Sequence, residues 1–247
     1  MKLLAIDSSG LVASVAVMED TKLLAEYTIN NKQTHSQTLL VMLDEVKRIL
    51  ELDLETVDAI AVAAGPGSFT GLRIGSATAK GIGLAIKKPI ISVPTLDALA
   101  YQMYASDKII CPIMDARRSQ VYTGIYKFCQ NEKTEEETEE GAFSLEIIEP
   151  QCAVPIEKIT RKLNELKSEV IFLGDGVPVF SQKLSELMQV GYSFAPAHRN
   201  RQSASSVAVR AMELYKMGIY QTAIEHQPEY LRLSQAERER MEKEAKK

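Results

Sequence analysis

The spacing of apolar residues changes once within the first fifty positions of the chain. The segments "KLLAID", "VASVAVME" and "LLAEYTI" run apolar or alternate as strands do, and only short links separate them. Links this short allow only an antiparallel meander. After the meander, apolar residues recur every three or four positions at Leu39, Leu43 and Val46, which predicts an amphipathic helix from about His35 to Leu50.

Strand and helix patterns alternate from there to the end of the first half. "VDAIAVAAG" is apolar on both faces, as in a buried strand, and the following segment predicts a helix from about Phe69 to Lys87. "PIISV" is the next strand, and "PTLDALAYQMY" predicts a helix capped by Thr95. The first half therefore has the predicted order βββαβαβα.

The second half repeats this architecture at low residue identity. "KIICPIMDARRSQVYTGIYKF", like "KLLAIDSSGLVASVAVME", predicts a strand that ends in Asp, a tight turn and a returning strand. Strands follow at "SLEIIEPQCAV" and "EVIFLGDG", and helices at "IEKITRKLNELK", "PVFSQKLSELM" and "SASSVAVRAMELYKMG", the last with a serine cap and a stop at Gly218. We expect an α/β protein with two related lobes, residues 1–106 and 107–233, an acidic loop at 130–141 and a charged tail at 234–247.

Composition and charge narrow the functional classes. The chain has 247 residues, 45% of them hydrophobic and 25% charged, with a formal net charge of −4, as in an ordinary globular protein. Direct binding of nucleic acid would need a local basic patch, for which "PAHRNRQ" is the candidate segment. Without a long apolar run, a signal peptide or C-x-x-C spacing, we expect a cytoplasmic protein with no membrane span, disulfide framework or zinc site.

The segment "GPGSFTG", residues 65–71, follows a predicted buried strand and opens a helix, which is where phosphate loops occur. A Walker A loop needs Lys after its last glycine, but Leu72 and Arg73 follow Gly71. A dinucleotide fingerprint needs its third glycine one residue earlier, and Pro66 removes a backbone donor. The sequence therefore disfavours a phosphate loop at this position.

Small residues recur at every fourth position along the helix that follows. Gly71, Gly75, Ala79 and Gly83 would share one slowly drifting face. Glycine in a helix interior costs about 0.5–1 kcal/mol relative to alanine, so the stripe requires the close approach of another backbone. That backbone belongs either to the protein's own sheet or helices or to another subunit, and the sequence leaves both interpretations open.

The sequence contains no recognisable catalytic constellation. The histidines, at positions 35, 198 and 226, are not spaced as a helical metal pair, and there is no G-x-S-x-G elbow. Asp7 and Asp115 each end a strand before a tight turn, which resembles the phosphate-binding and Mg²⁺-binding hairpins of actin-like ATPases and sugar kinases. "DARRSQ" departs from that pattern, because Arg117 and Arg118 stand where a close phosphate favours small residues. Aspartates that cap turns are the alternative.

Five motifs occur in one order along nearly the whole chain, from Leu3 to about Arg232: "LLAIDSS", "THSQTLL", "GPGSFTGLRIG", "DARRSQVY" and "PEYLR". Together they resemble the bacterial TsaB (YeaZ) family, and "GPGSFTGLRIG" is the most specific of them. The resemblance implies the actin-like ATPase (ribonuclease H-like) fold, with a mixed sheet flanked by helices in each lobe. It also implies a non-catalytic subunit. TsaD-like transferases carry a helical His pair that binds the catalytic metal, and this chain has no such pair.

The resemblance implies partners as well. These are TsaD, which transfers a threonylcarbamoyl group to the adenosine beside the tRNA anticodon, the ATPase TsaE, and a second copy of the chain in isolation; tRNA would be bound only through the complex. The expected partner surface lies on the first two predicted helices, with contacts from His35, Leu39, Leu43, Val46, Gly71, Leu72, Gly75, Ala79 and Gly83.

A degenerate nucleotide site is also expected, formed by Asp7, Ser8, Ser9, Asp115 and Arg118. We expect no resident cofactor or metal there, and at most weak or interface-bound ATP or ADP with Mg²⁺. The alternative function is an ATPase or small-molecule kinase of this fold that uses Asp7 and Asp115.

Overall fold

A computed structural model describes residues 1–31, 34–131 and 143–232, and these residues form two mixed five-stranded sheets with helices. The first sheet contains β1 (Lys2–Asp7), β2 (Ala13–Glu19), β3 (Lys22–Ile29), β4 (Ala59–Gly65) and β5 (Ile90–Pro94). The second contains β6 (Ile109–Asp115), β7 (Gln120–Gln130), β8 (Phe143–Pro155), β9 (Val170–Leu173) and β10 (Tyr192–Phe194). The helices are α1 (His35–Ile49), α2 (Phe69–Ala85), α3 (Thr95–Ala100), α4 (Ile156–Glu165), α5 (Val177–Leu187) and α6 (Ala204–Lys216).

The first sheet has the order β3-β2-β1-β4-β5, with β2 antiparallel to its neighbours and β4 and β5 parallel to β1. The predicted meander and the order βββαβαβα are therefore confirmed. Successive side chains of β1 face opposite ways. Leu4 and Ile6 pack with residues of α1 and α2, whereas Leu3 and Ala5 pack with α6. Because both faces are covered, the strand has a continuous apolar sequence.

The second sheet repeats this arrangement, with the order β8-β7-β6-β9-β10 and the corresponding strand directions. The predicted duplication is thereby confirmed at the level of topology. The sequence does not predict β10, because three residues are too few to show a period. Gly218, with a left-handed φ of +76°, follows α6 as predicted. The acidic loop from residue 132 onwards and the charged tail lie outside the described residues.

Two helices each pack on the sheet formed by the other half of the chain. All six residues of α3, in the first half, are buried, and Leu96 and Leu99 pack against the second sheet. In return α6, in the second half, packs on the first sheet through Val207, Ala208 and Ala211. The predicted lobe boundary between residues 106 and 107 does not account for this exchange, because α6 follows the boundary and yet contributes to the core of the first lobe. The boundary itself stays a prediction.

Two helix starts differ from the predicted caps. The Ser203 side chain does not cap α6 and instead donates to Glu26 of β3 at 2.6 Å. Glu26 also accepts a hydrogen bond from Ser205 N at 3.1 Å, so a carboxylate from a neighbouring strand binds a free backbone donor of this helix. Thr95 lies inside α3, and its Oγ1 accepts a hydrogen bond from Gly65 N at 3.2 Å.

Arg210 of α6 forms an ion pair with Asp97 of α3 at 3.1 Å, and both side chains are almost fully buried. Substitution Arg210→Met would leave the Asp97 carboxylate buried without its cation. We therefore expect the free energy of unfolding to fall by about 3 kcal/mol, measured by denaturant titration.

Arg48 provides the matched control, because its ion pair with Glu45 lies on the exposed side of α1. Arg48→Met should change the free energy of unfolding by less than about 0.5 kcal/mol. Equal effects of the two substitutions would show that the buried pair does not join the helices.

Candidate functional site

A cleft of about 310 Å³ lies between the two lobes. Its walls come from the turns that follow β1, β4, β6 and β9 and from the end of the described chain. Ligand sites of α/β proteins occur at such strand ends. The polar and aromatic residues that line the cleft are Ser9, Ser68, Phe69, Asp115, Arg117, Tyr122, Asp175, Glu229, Tyr230 and Arg232.

Asp7 ends β1, and Ser8 and Ser9 begin the turn after it. The side chains of all three residues bond to the protein itself. The Asp7 carboxylate accepts hydrogen bonds from Ser9 N at 2.9 Å and from Ser9 Oγ at 2.6 Å. Ser8 Oγ donates to Gly71 O at 2.9 Å. Burial raises the pKa of Asp7 to about 6, although the bonds from Ser9 act in the opposite direction. Ser9 lines the cleft, whereas the polar atoms of Asp7 and Ser8 are used within the first lobe.

The segment "GPGSFTG" packs directly against this turn. A Cβ on Gly67 would lie 2.3 Å from Ser9 O, and a Cβ on Gly71 would lie 2.1 Å from Ser8 O. Ser68 N donates to Ser9 O at 2.7 Å, and Ser68 Oγ accepts from Gly71 N as the cap of α2. These glycines therefore permit contact between two turns of the same lobe.

Asp115 ends β6 as Asp7 ends β1, and its carboxylate also bonds to its own turn. It accepts a hydrogen bond from Arg117 N at 2.8 Å and pairs with the Arg117 guanidinium at 3.3 Å. Arg117, Arg118 and Ser119 have φ of 62°, 55° and 57°, a left-handed conformation that residues other than glycine seldom adopt in succession. Arg117 lines the cleft, while Arg118 lines an adjoining depression. The structure thus places Arg117, and not the predicted Arg118, in the cleft.

The sequence patterns do not place two further groups in the cleft, although the structure does. Asp175 follows β9, and its Oδ1 accepts a hydrogen bond from Asp115 N at 3.3 Å; burial raises the pKa of Asp175, and the Asp115 charge adds to this effect. The duplication could have indicated Asp175, because "GDG" after β9 occupies the position in the second lobe that "GPG" at the end of β4 occupies in the first. The second group is the "PEYLR" segment, residues 228–232, which supplies Glu229, Tyr230 and Arg232.

These residues do not fit a magnesium-bound nucleotide. The Asp7 carboxylate is committed to Ser9, arginines replace small residues in the second turn, and residues 229–232 line the space between the turns. Across residues 1–31, 34–131 and 143–232, no three His, Cys, Asp or Glu side chains are grouped as metal ligands.

The apolar residues expected to contact a partner lie inside the first lobe instead. Leu39, Leu43 and Val46 of α1 belong to the core under the helix pair, together with Ala79 of α2. Leu72 is buried as well. The apolar period of an amphipathic helix marks the side that faces its own sheet, so these side chains cannot reach a partner while the lobe is folded.

The remaining residues of that prediction also serve the fold. A Cβ on Gly75 would lie 2.4 Å from Ser8 Oγ, and one on Gly83 would lie 3.1 Å from Ala223 Cβ. His35 Nε2 donates to Gly10 O at 2.8 Å and so braces the first turn. Of the two interpretations of the small-residue stripe, packing within the subunit itself is therefore correct for these glycines.

The opposite sides of α1 and α2 are exposed. Leu40 and Val41 of α1 are 58% and 66% exposed, and Leu84 of α2 is 53% exposed. Ala77 and Gly81 are exposed too, and a Cβ on Gly81 would meet no atom of the described chain within 4 Å. Both helices pack on one face of the first sheet, and we call these five exposed residues together the outer helix face.

Residues 22–240 match the family model described as "TsaD: tRNA N6-adenosine threonylcarbamoyltransferase". A Haemophilus influenzae relative named tRNA threonylcarbamoyladenosine biosynthesis protein TsaB is 32% identical, over 74% of this chain and 75% of the relative. The chain belongs to the TsaB (YeaZ) family. The Bacillus subtilis TsaB protein is 29% identical over 96% of both chains.

Solved structures of the TsaB (YeaZ) family have the same fold. YeaZ from Pseudomonas aeruginosa is 25% identical, with a TM-score of 0.74 over 93% of this chain and 100% of that one. A second P. aeruginosa structure, described as an uncharacterized protein with similarity to peptidase YEAZ, gives a TM-score of 0.75 at 25% identity over 94% of this chain and 99% of that one. The expected α/β fold of this family is thereby confirmed. No helix within the described ranges is long and apolar enough to cross a membrane.

The buried Asp7 carboxyl predicts a pH dependence of stability. Its folded pKa of about 6 exceeds the ordinary value of 3.8, so the native state holds a proton that the unfolded state releases between these values. Stability should therefore fall as the pH rises from about 4 to about 6.5, by about 3 kcal/mol.

The variant Asp7→Asn cannot titrate and should lack this slope. Its stability relative to the native protein should rise between pH 4 and 6.5 and then level off, in denaturant titrations at a series of pH values. A difference that is independent of pH across this range would contradict the pKa of Asp7.

Proposed function

We propose that this chain is a non-catalytic scaffold subunit of tRNA threonylcarbamoyladenosine biosynthesis. In this role it binds TsaD and, together with TsaE, supports the modification of the adenosine next to the anticodon. Relatives from B. subtilis and Escherichia coli bear the name of this pathway, and the threonylcarbamoyltransferase model matches residues 22–240. The single observation that carries the binding role is the outer helix face.

Three features of the outer helix face favour a protein partner. Leu40, Val41 and Leu84 expose apolar area on two adjacent helices, as surfaces covered in a complex do. Gly81 lies within α2, where glycine costs about 0.5–1 kcal/mol relative to alanine. Nothing in the described chain contacts its Cβ position, so a close partner backbone is the proposed reason for the glycine.

The same face is proposed to bind a second copy of the chain when TsaD is absent. In a two-fold symmetric dimer the same surface patch of each copy contacts the other, so an exposed apolar face on a helix pair can pack against the same face of a second copy. We propose that tRNA is reached only through the assembled complex, since the chain itself carries a net charge of −4.

Val41→Glu should weaken the complex with TsaD about tenfold or more, because the carboxylate would be withdrawn from water against an apolar partner. Val179→Glu is the matched control: Val179 of α5 is 60% exposed, close to the 66% of Val41, but lies in the second lobe. Affinity is measured by calorimetry with purified TsaD, and the mass in isolation by light scattering.

The decisive assay is reconstituted tRNA modification with TsaD, TsaE and the threonylcarbamoyl donor. Omission of the chain should abolish product, Val41→Glu should reduce it, and Val179→Glu should restore native activity. Full activity without the chain would refute the scaffold role, and equal affinities of both variants for TsaD would remove the outer helix face from the interface.

Two substitutions at Gly81 distinguish the stability of the subunit from its binding to TsaD. Gly81→Ala should raise the free energy of unfolding by about 0.5–1 kcal/mol, because alanine suits an exposed helix position better. Gly81→Gln should leave the subunit folded but weaken TsaD binding, because the long side chain holds the helices apart. If Gly81→Gln binds TsaD with native affinity, α2 is not closely approached at this point.

A further inference from the structure

The "PEYLR" segment has no role in the proposed partner surface, yet it lies in the interlobe cleft. After α6 the chain runs back along the first lobe, where Gln221 and Ile90 exchange backbone hydrogen bonds of 2.9 and 2.8 Å. Lys80 of α2 then donates to Ile224 O at 3.0 Å and to His226 O at 2.9 Å. The segment therefore enters the cleft from a path that is fixed to the first lobe.

Inside the cleft the segment is held to the first lobe by its backbone and by an aromatic contact. Glu229 N donates a hydrogen bond at 2.7 Å to the carbonyl oxygen of Ala64, near the end of β4. The ring of Tyr230 lies 4.6 Å from that of Phe69, and Arg73 Nε donates to the Tyr230 hydroxyl at 3.3 Å.

Two side chains then tie the same segment to the second lobe. Gln151 Nε2, on β8, donates to Glu229 Oε2 at 2.9 Å. Arg232 Nη1 donates to Ala116 O and, at 3.3 Å, to Arg117 O, which are carbonyl groups of the turn after β6. Residues 228–232 thus bond to both walls of the cleft.

Gly65 provides independent evidence that the fold is built around this segment. A Cβ at Gly65 would lie 2.1 Å from Glu229 O, and the residue has a φ of +128°, which side-chain-bearing residues rarely adopt. The backbone of Glu229 therefore occupies space that the end of β4 leaves open for it.

We propose that residues 228–232 are a strap that holds the two lobes in one relative position and forms part of the wall of the cleft between them. The α3–α6 layer also joins the lobes. Ties at the second turn and at β8 add a further connection, on the cleft side, and oppose rotation of the lobes about that layer. The chain consequently has no opening and closing cycle of its own, whichever partner it binds.

Hydrogen–deuterium exchange of the full chain tests the strap. Arg232→Ala removes the tie to the second turn, and Gln151→Ala removes the tie to β8 without altering the strap itself. We expect peptides that cover residues 8–12 and 115–120 to exchange about tenfold faster in Arg232→Ala, and faster again in the double variant. Peptides of α4, away from the cleft, should keep their native rates.

Arg48→Ala, which removes an exposed arginine of α1, serves as control and should leave all of these rates unchanged. The proposal fails if only peptides of the strap accelerate, or if no peptide does. If the double variant also accelerates exchange in α4, global unfolding has occurred, and the single variants decide. Native rates in both turns in Arg232→Ala and Gln151→Ala would then overturn the proposal.

Discussion

The arrangement of the two lobes depends on the buried ion pair between Asp97 of α3 and Arg210 of α6. Their charged atoms are 3.1 Å apart, and the side chain of Asp97 is 4% exposed. Arg210 also donates to Glu213, which accepts a hydrogen bond from the Tyr101 hydroxyl. Burial raises the pKa of Asp97, and the charge of Arg210 opposes that shift. Two charges withdrawn from water are tolerated when they face each other, so this pair fixes α3 against α6.

Because each of these helices packs on the sheet of the other half, the contact between α3 and α6 constrains the relative position of the two lobes. Because α3 packs on the second sheet and α6 on the first, the position of one helix against the other sets the position of the sheets. The turns at the strand ends then face one cleft. Both lobes build these turns alike: a Cβ on Gly67 would meet Ser9 O at 2.3 Å, and one on Gly174 would meet Ile113 O at 2.2 Å. Backbone contact within each lobe therefore explains these glycines without a ligand.

Much of the fold could be predicted because its strands and helices carry clear apolar periods. Strand β4 is buried on both faces and α1 on one, and the sequence shows each pattern directly. The missed features depend on contacts between distant positions. The carboxylate at the start of α6 comes from Glu26, which is 177 positions from Ser203, and no local pattern contains that information. The same holds for Arg232, which reaches the turn after β6 from the end of the described chain.

The candidate site was harder to predict than the fold, because an apolar period identifies the side of a helix that its own sheet covers. The proposed partner surface consists of residues that break this period, such as Leu40 and Val41 on the otherwise polar side of α1. Glycine spacing has a similar ambiguity, since it is the same whichever backbone lies close. The nearest atoms resolve it: Gly71 meets Ser8 O at 2.1 Å, whereas Gly81 meets nothing within 4 Å in the described chain. The glycine that the subunit does not need for its own packing is therefore the one that a partner can use.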